Sequence, residues 1–320
     1  MPQATPETVP LTPRRRLIGT AAGGATSLRR GGSSDVATTR PYVPGDDVRS
    51  IDWKSSARLA SVRSADDFIV RERHADEMPD IVLVVDRRPS MGLYPDDLPW
   101  LHKPEAVRSV AELIVRSAHA QRSLVGYLDL GSHAGETDAG TPHWRKPRSP
   151  SDAWRGGLLE QLPSLLGAPF DAPDDSLDAA LEFLAVRRGS VRTGSLVFVV
   201  SDFLAPPPAA RWAHAASLGW EVVPVVVQDP VWEQSFPAID GVLVTVVDAF
   251  HGNARRVRLD RAEVEARRQA NERRLVQLRR SFEDAGLEPI TIGGADAASV
   301  YAAFVEWADA RIELARAVRA

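Results

Sequence analysis

The 320-residue chain contains no cysteine. Disulfides, thiolate nucleophiles and cysteine-ligated zinc are therefore excluded. Lysine is nearly absent as well: of the 39 cationic residues, all but Lys54, Lys103 and Lys146 are arginine. That bias, with abundant alanine, glycine, proline and valine, fits a GC-rich coding sequence and carries no functional signal. No stretch reaches the roughly 18 consecutive apolar residues of a membrane-spanning helix. Residues 11–20 are interrupted by Arg14, Arg15 and Arg16, so they do not form the apolar core of a secretory signal. A cytoplasmic location is expected. Neither charge dominates, since the net charge is −4 with 26% charged residues. A nucleic-acid partner, which needs a strongly basic field, is not expected. The seven histidines are scattered, and neither H-E-x-x-H nor G-x-x-x-x-G-K-[ST] occurs. Gly19 to Gly24 follows no strand, and Ser176 and Ser201 have no histidine nearby in sequence to activate them.

With 44% apolar residues, the chain suffices for one large domain or two modest ones. Residues 1–13 hold four prolines and little apolar content, so residues 1–16 are assigned to a disordered tail. Residues 17–80 are assigned to an N-terminal arm, and the arginines at 14–16, just before it, and 29–30, within it, read as solvated rather than as an anion contact. A regular domain follows at residues 81–310, and residues 311–320 end its closing helix.

Residues 81–86 give five consecutive apolar residues, mostly β-branched, before Asp86. That is the pattern of a strand buried on both faces of a parallel sheet. Residues 123–130, 195–200, 221–227 and 289–292 repeat it, and residues 242–247 are expected as a further strand at an edge. At 103–122, Val107, Val110, Ala111, Ile114, Val115 and Ala118 keep the spacing of an amphipathic helix. Further helices are predicted at 154–166, at 177–188 behind the Asp174-Asp175-Ser176 cap cluster, and at 206–218, 260–285 and 297–318. Residues 131–150 read as a polar excursion. In the helix at 260–285, Arg261, Arg267, Arg268, Arg273, Arg274, Arg279 and Arg280 read as a solvated face paired with its own glutamates. Strands alternating with helices predict an α/β domain, a mostly parallel sheet flanked by helices. Its ligand crevice lies at the carboxyl ends of the strands.

Asp86 and Asp202 both fall at such ends. Asp86-Arg87-Arg88-Pro89-Ser90 has the spacing of a D-x-S-x-S metal loop whose first serine is replaced by Arg88. In that loop an aspartate and two hydroxyls hold a hard divalent cation, magnesium or manganese. A threonine and a second aspartate from neighbouring loops complete the oxygen shell. Asp86, Ser90 and Asp202 are the candidates here, with the threonine position at Asp175 or Ser176. Arg88 opposes a divalent ion by several kcal/mol even at an effective dielectric of about 20. Internal pairing of Arg88 with Asp86 or Asp202, with weak or absent metal binding, is the expectation.

Residues 40–58 concentrate charge around a Pro-Gly-Asp-Asp turn. An ion-paired corner is expected, with Asp46, Asp47, Arg49 and Asp52 satisfied locally and Trp53 buried. The alternative is a metal-dependent hydrolase or nuclease using Asp46, Asp47, Asp52 and Lys54. Such a D-x-K pair belongs on a firm strand beside a basic groove, whereas Ile51 to Trp53 is a short piece next to a turn in a net-acidic chain.

The run Arg40, Tyr42, Pro44, Gly45, Asp46, Asp47, Arg49, Ile51, Asp52 and Trp53, continued by Ala57-Arg58 and Glu72-Arg73, resembles the bacterial domain-of-unknown-function family 58 (DUF58). Ser90-Met91 after Asp86, Ser201-Asp202-Phe203, and Asp229-Pro230 with Glu233 extend the resemblance over residues 17–310. The resemblance implies a von Willebrand factor A-like fold with an ion-dependent adhesion site, carried here by Asp86, Ser90 and Asp202. It also implies a non-enzymatic partner or adaptor of a MoxR-type AAA+ ATPase in chaperone-like maturation of a client protein. Many family members carry two N-terminal membrane helices. This chain shows none and is expected to belong to a short soluble branch.

Overall fold

The computed structural model describes residues 8–13, 36–41, 51–54, 56–57, 68–73, 79–93, 101–148, 157–248 and 254–317. They fall into two compact units, one of residues 17–78 and one of residues 1–16 with 79–320. In the smaller unit, β1 (Val36–Pro41) and β2 (Ile69–Arg73) pair antiparallel, with a register irregularity between Val36 and Thr38. Residues 53–54 and 56–57 of the same unit are helical. Ser56 closes that turn by donating both its amide (2.9 Å) and its hydroxyl (2.7 Å) to the Asp52 carbonyl.

The larger unit is built on a six-stranded sheet in the order β10-β7-β6-β3-β4-β5. The strands are β3 (Ile81–Val85), β4 (Val125–Asp129), β5 (His143–Arg148), β6 (Leu196–Ser201), β7 (Glu221–Val227) and β10 (Ile290–Ile292). All pair in parallel except β5, which runs antiparallel to β4. Alternate residues of the pleat face opposite layers. Ile81, Leu83, Val85, Phe198, Val200, Val223 and Val225 pack with helices α1 (Lys103–Ala120), α2 (Leu158–Leu166) and α6 (Ala297–Ala317). Val82, Val84, Val197, Val199 and Val222 pack with α3 (Ser176–Val186), α4 (Ala209–Ser217) and α5 (Arg261–Asp284). The unbroken apolar runs follow from this two-sided burial.

Three expectations change. Residues 8–13 are not a free tail: Val9 and Leu11 are buried in the α1–α6 layer. The Val9 amide donates to Ser117 Oγ at 3.0 Å, and Gln121 Nε2 donates to the Val9 carbonyl at 2.9 Å. The polar stretch after β4 contains β5, which adds the edge of the sheet. Its Pro147 is tolerated because an edge strand needs amides on one side only. Gly126 of β4 leaves it room, since a Cβ there would come within 2.8 Å of Pro147 Cδ. Finally, β8 (Val242–Val247) joins no edge of the main sheet. It pairs with β9 (Ala254–Leu259) as a separate antiparallel ribbon. Near the far end of the closing helix, Arg311 is buried, with ion pairs to Glu221 and Glu288.

Candidate functional site

Four adjacent parallel strands, β7, β6, β3 and β4, run into an aspartate at or just past their carboxyl ends: Asp229, Asp202, Asp86 and Asp129. All four are buried. A buried carboxylate is costly unless charge or hydrogen bonds compensate it, and each of these is compensated differently.

Asp86 is held by Arg88. The Arg88 Nε lies 3.0 Å from both carboxylate oxygens, Nη2 lies 2.7 Å from Oδ2, and the backbone amide donates to Oδ1 at 2.9 Å. Ser201 adds a hydroxyl donor to Oδ2 at 2.6 Å. Arg88 Nη1 also donates to the Ala205 carbonyl (2.7 Å) and the Asp174 carbonyl (3.4 Å), tying the loops after β3 and β6 to the segment before α3. Burial works against the Arg88 charge, but the hydrogen bonds and charge of Asp86 outweigh it and raise the guanidinium pKa.

Asp202 is held by Lys103, whose ammonium donates to Asp202 Oδ2 (2.9 Å), Glu233 Oε1 (2.6 Å) and the Ser90 carbonyl (3.1 Å). Burial alone would raise the Asp202 pKa. The Lys103 charge and the Leu204 amide at 3.0 Å overcome it and hold the carboxyl below the usual aspartate range. Glu233 moves the other way: burial pushes its carboxyl up, and Lys103 only partly offsets this. One ammonium thus faces two buried carboxylates, and of the two it is Glu233 whose pKa burial raises.

Asp229 uses backbone amides, accepting from Val231 and Trp232 at 2.8 Å and from Leu101 at 2.8 Å. Its own amide donates to Glu233 Oε2 at 2.9 Å, which orients the glutamate toward Lys103. Asp129 accepts from Arg87 Nε (3.1 Å) and Tyr127 Oη (2.5 Å) and lies 2.8 Å from His133 Nε2. Arg87 continues to the carbonyls of Leu165, Leu166 and Ala168, fastening the end of α2 to the sheet.

The structure therefore gathers Asp86, Ser90 and Asp202 on one edge, as the sequence led us to expect, and Arg88 pairs with Asp86. Ser90 Oγ sits near enough to Asp202 to help lower its pKa, yet forms no well-aligned hydrogen bond; Ser176 Oγ is likewise buried without a partner. Asp175 is exposed and does not cap α3 through its side chain. The donor set does not suit a divalent ion. Both Asp86 oxygens face Arg88, Asp202 Oδ2 faces Lys103, and two neutral hydroxyls alone are a poor hard-cation site. Among the described residues no group of three or more acidic or histidine side chains is arranged to hold a metal.

The hydrolase alternative gains nothing from the described part of its set. Asp52 precedes a helical turn and Lys54 lies within it, rather than either lying on a strand, with Asp52 buried and Lys54 exposed. Trp53, expected to be buried, is 58% exposed, its ring edge-on to Phe68 at 5.6 Å. Helical geometry sends its side chain away from the direction that an extended Ile51–Trp53 alternation would give. Tyr42, Pro44, Gly45, Asp46, Asp47 and Arg49 lie outside the described residues, as does the Arg40 side chain.

Sequence reasoning gave no role to Lys103, Arg87 or Asp129. Lys103 carried a signal: it is one of three lysines and opens a helix, where a cation opposes the dipole. Asp129 ends a buried strand as Asp86 does, and the same reading applied to residues 123–130 would have found it.

A family model described as "Protein of unknown function DUF58" matches residues 38–278. The uncharacterized protein Rv1480 of Mycobacterium tuberculosis is 29% identical over 258 residues, covering 80% of this chain and 73% of the relative. The uncharacterized protein Mb1516 of Mycobacterium bovis matches with the same figures. Among solved structures, BatB from Bacteroides thetaiotaomicron aligns over 73% of this chain and 100% of that one, at 15% identity and a TM-score of 0.39. An aerotolerance-related membrane protein from Bacteroides fragilis aligns over 74% and 99%, at 18% identity and a TM-score of 0.40. Similarity of that degree carries no argument about function. None of the helices among the described residues is long and apolar enough to cross a membrane. The match over residues 38–278 spans well over half of the sequence, and the chain belongs to the DUF58 family of proteins of unknown function.

Proposed function

We propose that this protein is a non-enzymatic interaction module with a von Willebrand factor A-like domain. It serves as partner or adaptor of a MoxR-type AAA+ ATPase in the chaperone-like maturation of a client protein. The ATPase comes from the family resemblance. The observation that carries the mode of action is the pairing of Arg88 with Asp86 and of Lys103 with Asp202 and Glu233. In an ion-dependent adhesion site a bound cation organises these loops and completes its shell with a partner's carboxylate. Here two tethered cations organise the loops, so the strand-end edge keeps its shape without a metal. Docking on that edge is cation-independent.

The test is co-purification of the tagged chain with a MoxR-type AAA+ ATPase, in EDTA or magnesium, with and without ATP. Recovery of the ATPase in EDTA is the expected result. Failure to recover it under every condition defeats the partnership. Recovery that requires magnesium when nucleotide is absent defeats the cation-independent edge.

A further inference from the structure

We propose that the β8–β9 ribbon is a docking surface for an extended acidic segment of a partner protein, which adds as a third strand along β8. The ribbon is separate from the six-stranded sheet, and β8 pairs with no described strand except β9. β9 is anchored where it leads into α5, since its last residue, Leu259, is buried while its other residues are exposed or half-buried. The outer strand, β8, reads Val-Leu-Val-Thr-Val-Val. It has no charge, proline or glycine, which are the usual means of blunting a free edge. A six-residue run of this kind pairs with other strands unless it is covered. It lies at the surface, with Leu243 63%, Val242 43% and Val246 37% exposed.

Charge identifies the occupant. The cross-strand register sets Arg258 opposite Leu243, Arg256 opposite Thr245 and Arg255 opposite Val246. All three arginines are exposed, and none forms an ion pair or side-chain hydrogen bond among the described residues. The carboxylate nearest to them in sequence, Asp260, is engaged in capping α5 through the Glu263 amide at 2.8 Å. Arg256 and Arg258 share one face of the ribbon, about 7 Å apart along β9. A strand added beside β8 would run about 10 Å from β9. A guanidinium reaching across Thr245 or Leu243 meets a glutamate on the same face of such a strand. Backbone hydrogen bonds along β8 would supply affinity, and the arginines would select acidic side chains at alternate positions. This surface does not involve the strand-end aspartates, and its test stands whether or not the ATPase reading survives.

The probe is a fluorescein-labelled octapeptide of alternating Glu and Val, compared with its Lys-Val counterpart. Binding to the full-length chain is followed by anisotropy and by hydrogen exchange. The expected result is binding of the Glu-Val peptide at least about tenfold tighter than the Lys-Val peptide, with slowed amide exchange at residues 242–247. The Arg256→Glu/Arg258→Glu variant, shown to be folded by an unchanged melting temperature, should reverse the preference. Arg256→Gln/Arg258→Gln, the milder change, should abolish it. Absence of binding, unchanged exchange at 242–247, or a preference insensitive to both variants overturns the proposal. Concentration-dependent dimerisation lost in Leu243→Lys would assign the edge to a second copy of the chain and overturn it equally.

Discussion

A cation in the first turn of a helix opposes the helix dipole, and Lys103 sits at the first position of α1, fully buried. It is retained there because Asp202 and Glu233 converge on its ammonium at 2.9 and 2.6 Å. Removing one partner of such a group leaves uncompensated buried charge. Lys103→Met is therefore expected to cost about 3–5 kcal/mol in urea denaturation at neutral pH, and a loss under about 1 kcal/mol would show that the carboxylates relax to solvent. The two carboxylates also give stability a pH dependence of mixed sign. Asp202 has a depressed pKa in the folded state. Its contribution is complete above the unfolded value of about 3.9 and is lost as pH falls through the lower folded value. Glu233 has a raised pKa. Its contribution is complete below the unfolded value of about 4.3 and is lost as pH rises through the higher folded value. Unfolding curves from pH 3 to 7 should show Asp202→Asn removing part of the acid-side decline. Glu233→Gln should remove part of the decline on the rising side. An unaltered profile in both variants would contradict these directions.

Local pattern and tertiary partner disagree most clearly in three elements. Residues 8–13 read as tail because proline and polar residues surround Val9 and Leu11, yet those two side chains fill the layer between α1 and α6. Arg311 Nη1 reaches the Thr12 carbonyl at 2.9 Å, adding a link to the far end of the chain. Deleting residues 1–12 is expected to cost about 3–6 kcal/mol, from about 1.5–3 kcal/mol for each buried side chain. The urea midpoint measures this, and an unchanged midpoint would show the segment to be dispensable. The edge strand β5 escaped notice because His143, Trp144, Arg145, Lys146, Pro147 and Arg148 have no apolar alternation. Its place is set by β4, which pairs Leu128 with Trp144 and Asp129 with His143. The apolar run of β8 was legible as a strand, but its partner β9 was not, because Arg255, Arg256 and Arg258 mask the one buried position, Leu259.

For the molecule as a whole, the Arg88–Asp86 and Lys103–Asp202 pairs are expected to leave the fold with no need of magnesium. A ligand present at a hundred times its dissociation constant raises stability by about 2.7 kcal/mol. Millimolar magnesium or manganese is expected to leave the melting temperature of the chelator-treated protein unchanged. Arg88→Ser should lower it by exposing the Asp86 charge, and magnesium should then restore part of the loss by entering the vacated position. A magnesium-dependent rise in the unmodified protein would show that the ion displaces Arg88 or Lys103.

The sequence by itself determined the α/β class, because unbroken β-branched runs at residues 81–85, 196–200 and 221–227 must be buried on both faces and amphipathic helices must cover them. It also determined that Asp86 and Asp202 each end a buried strand at the same sheet edge and that Arg88 competes for one of them. It identified Lys103 only as a rare residue in a helix start and Glu233 only as part of a motif. Their pairing spans 130 positions along the chain. A contact that distant is created by the order in which strands assemble, with β6 beside β3 and β7 beside β6, and no local pattern encodes it. The charged corner at residues 40–58 was legible as a motif because its residue types are unusual together. The conformation at Asp52 and Trp53, a helical turn with the indole exposed, depends on packing within its own unit.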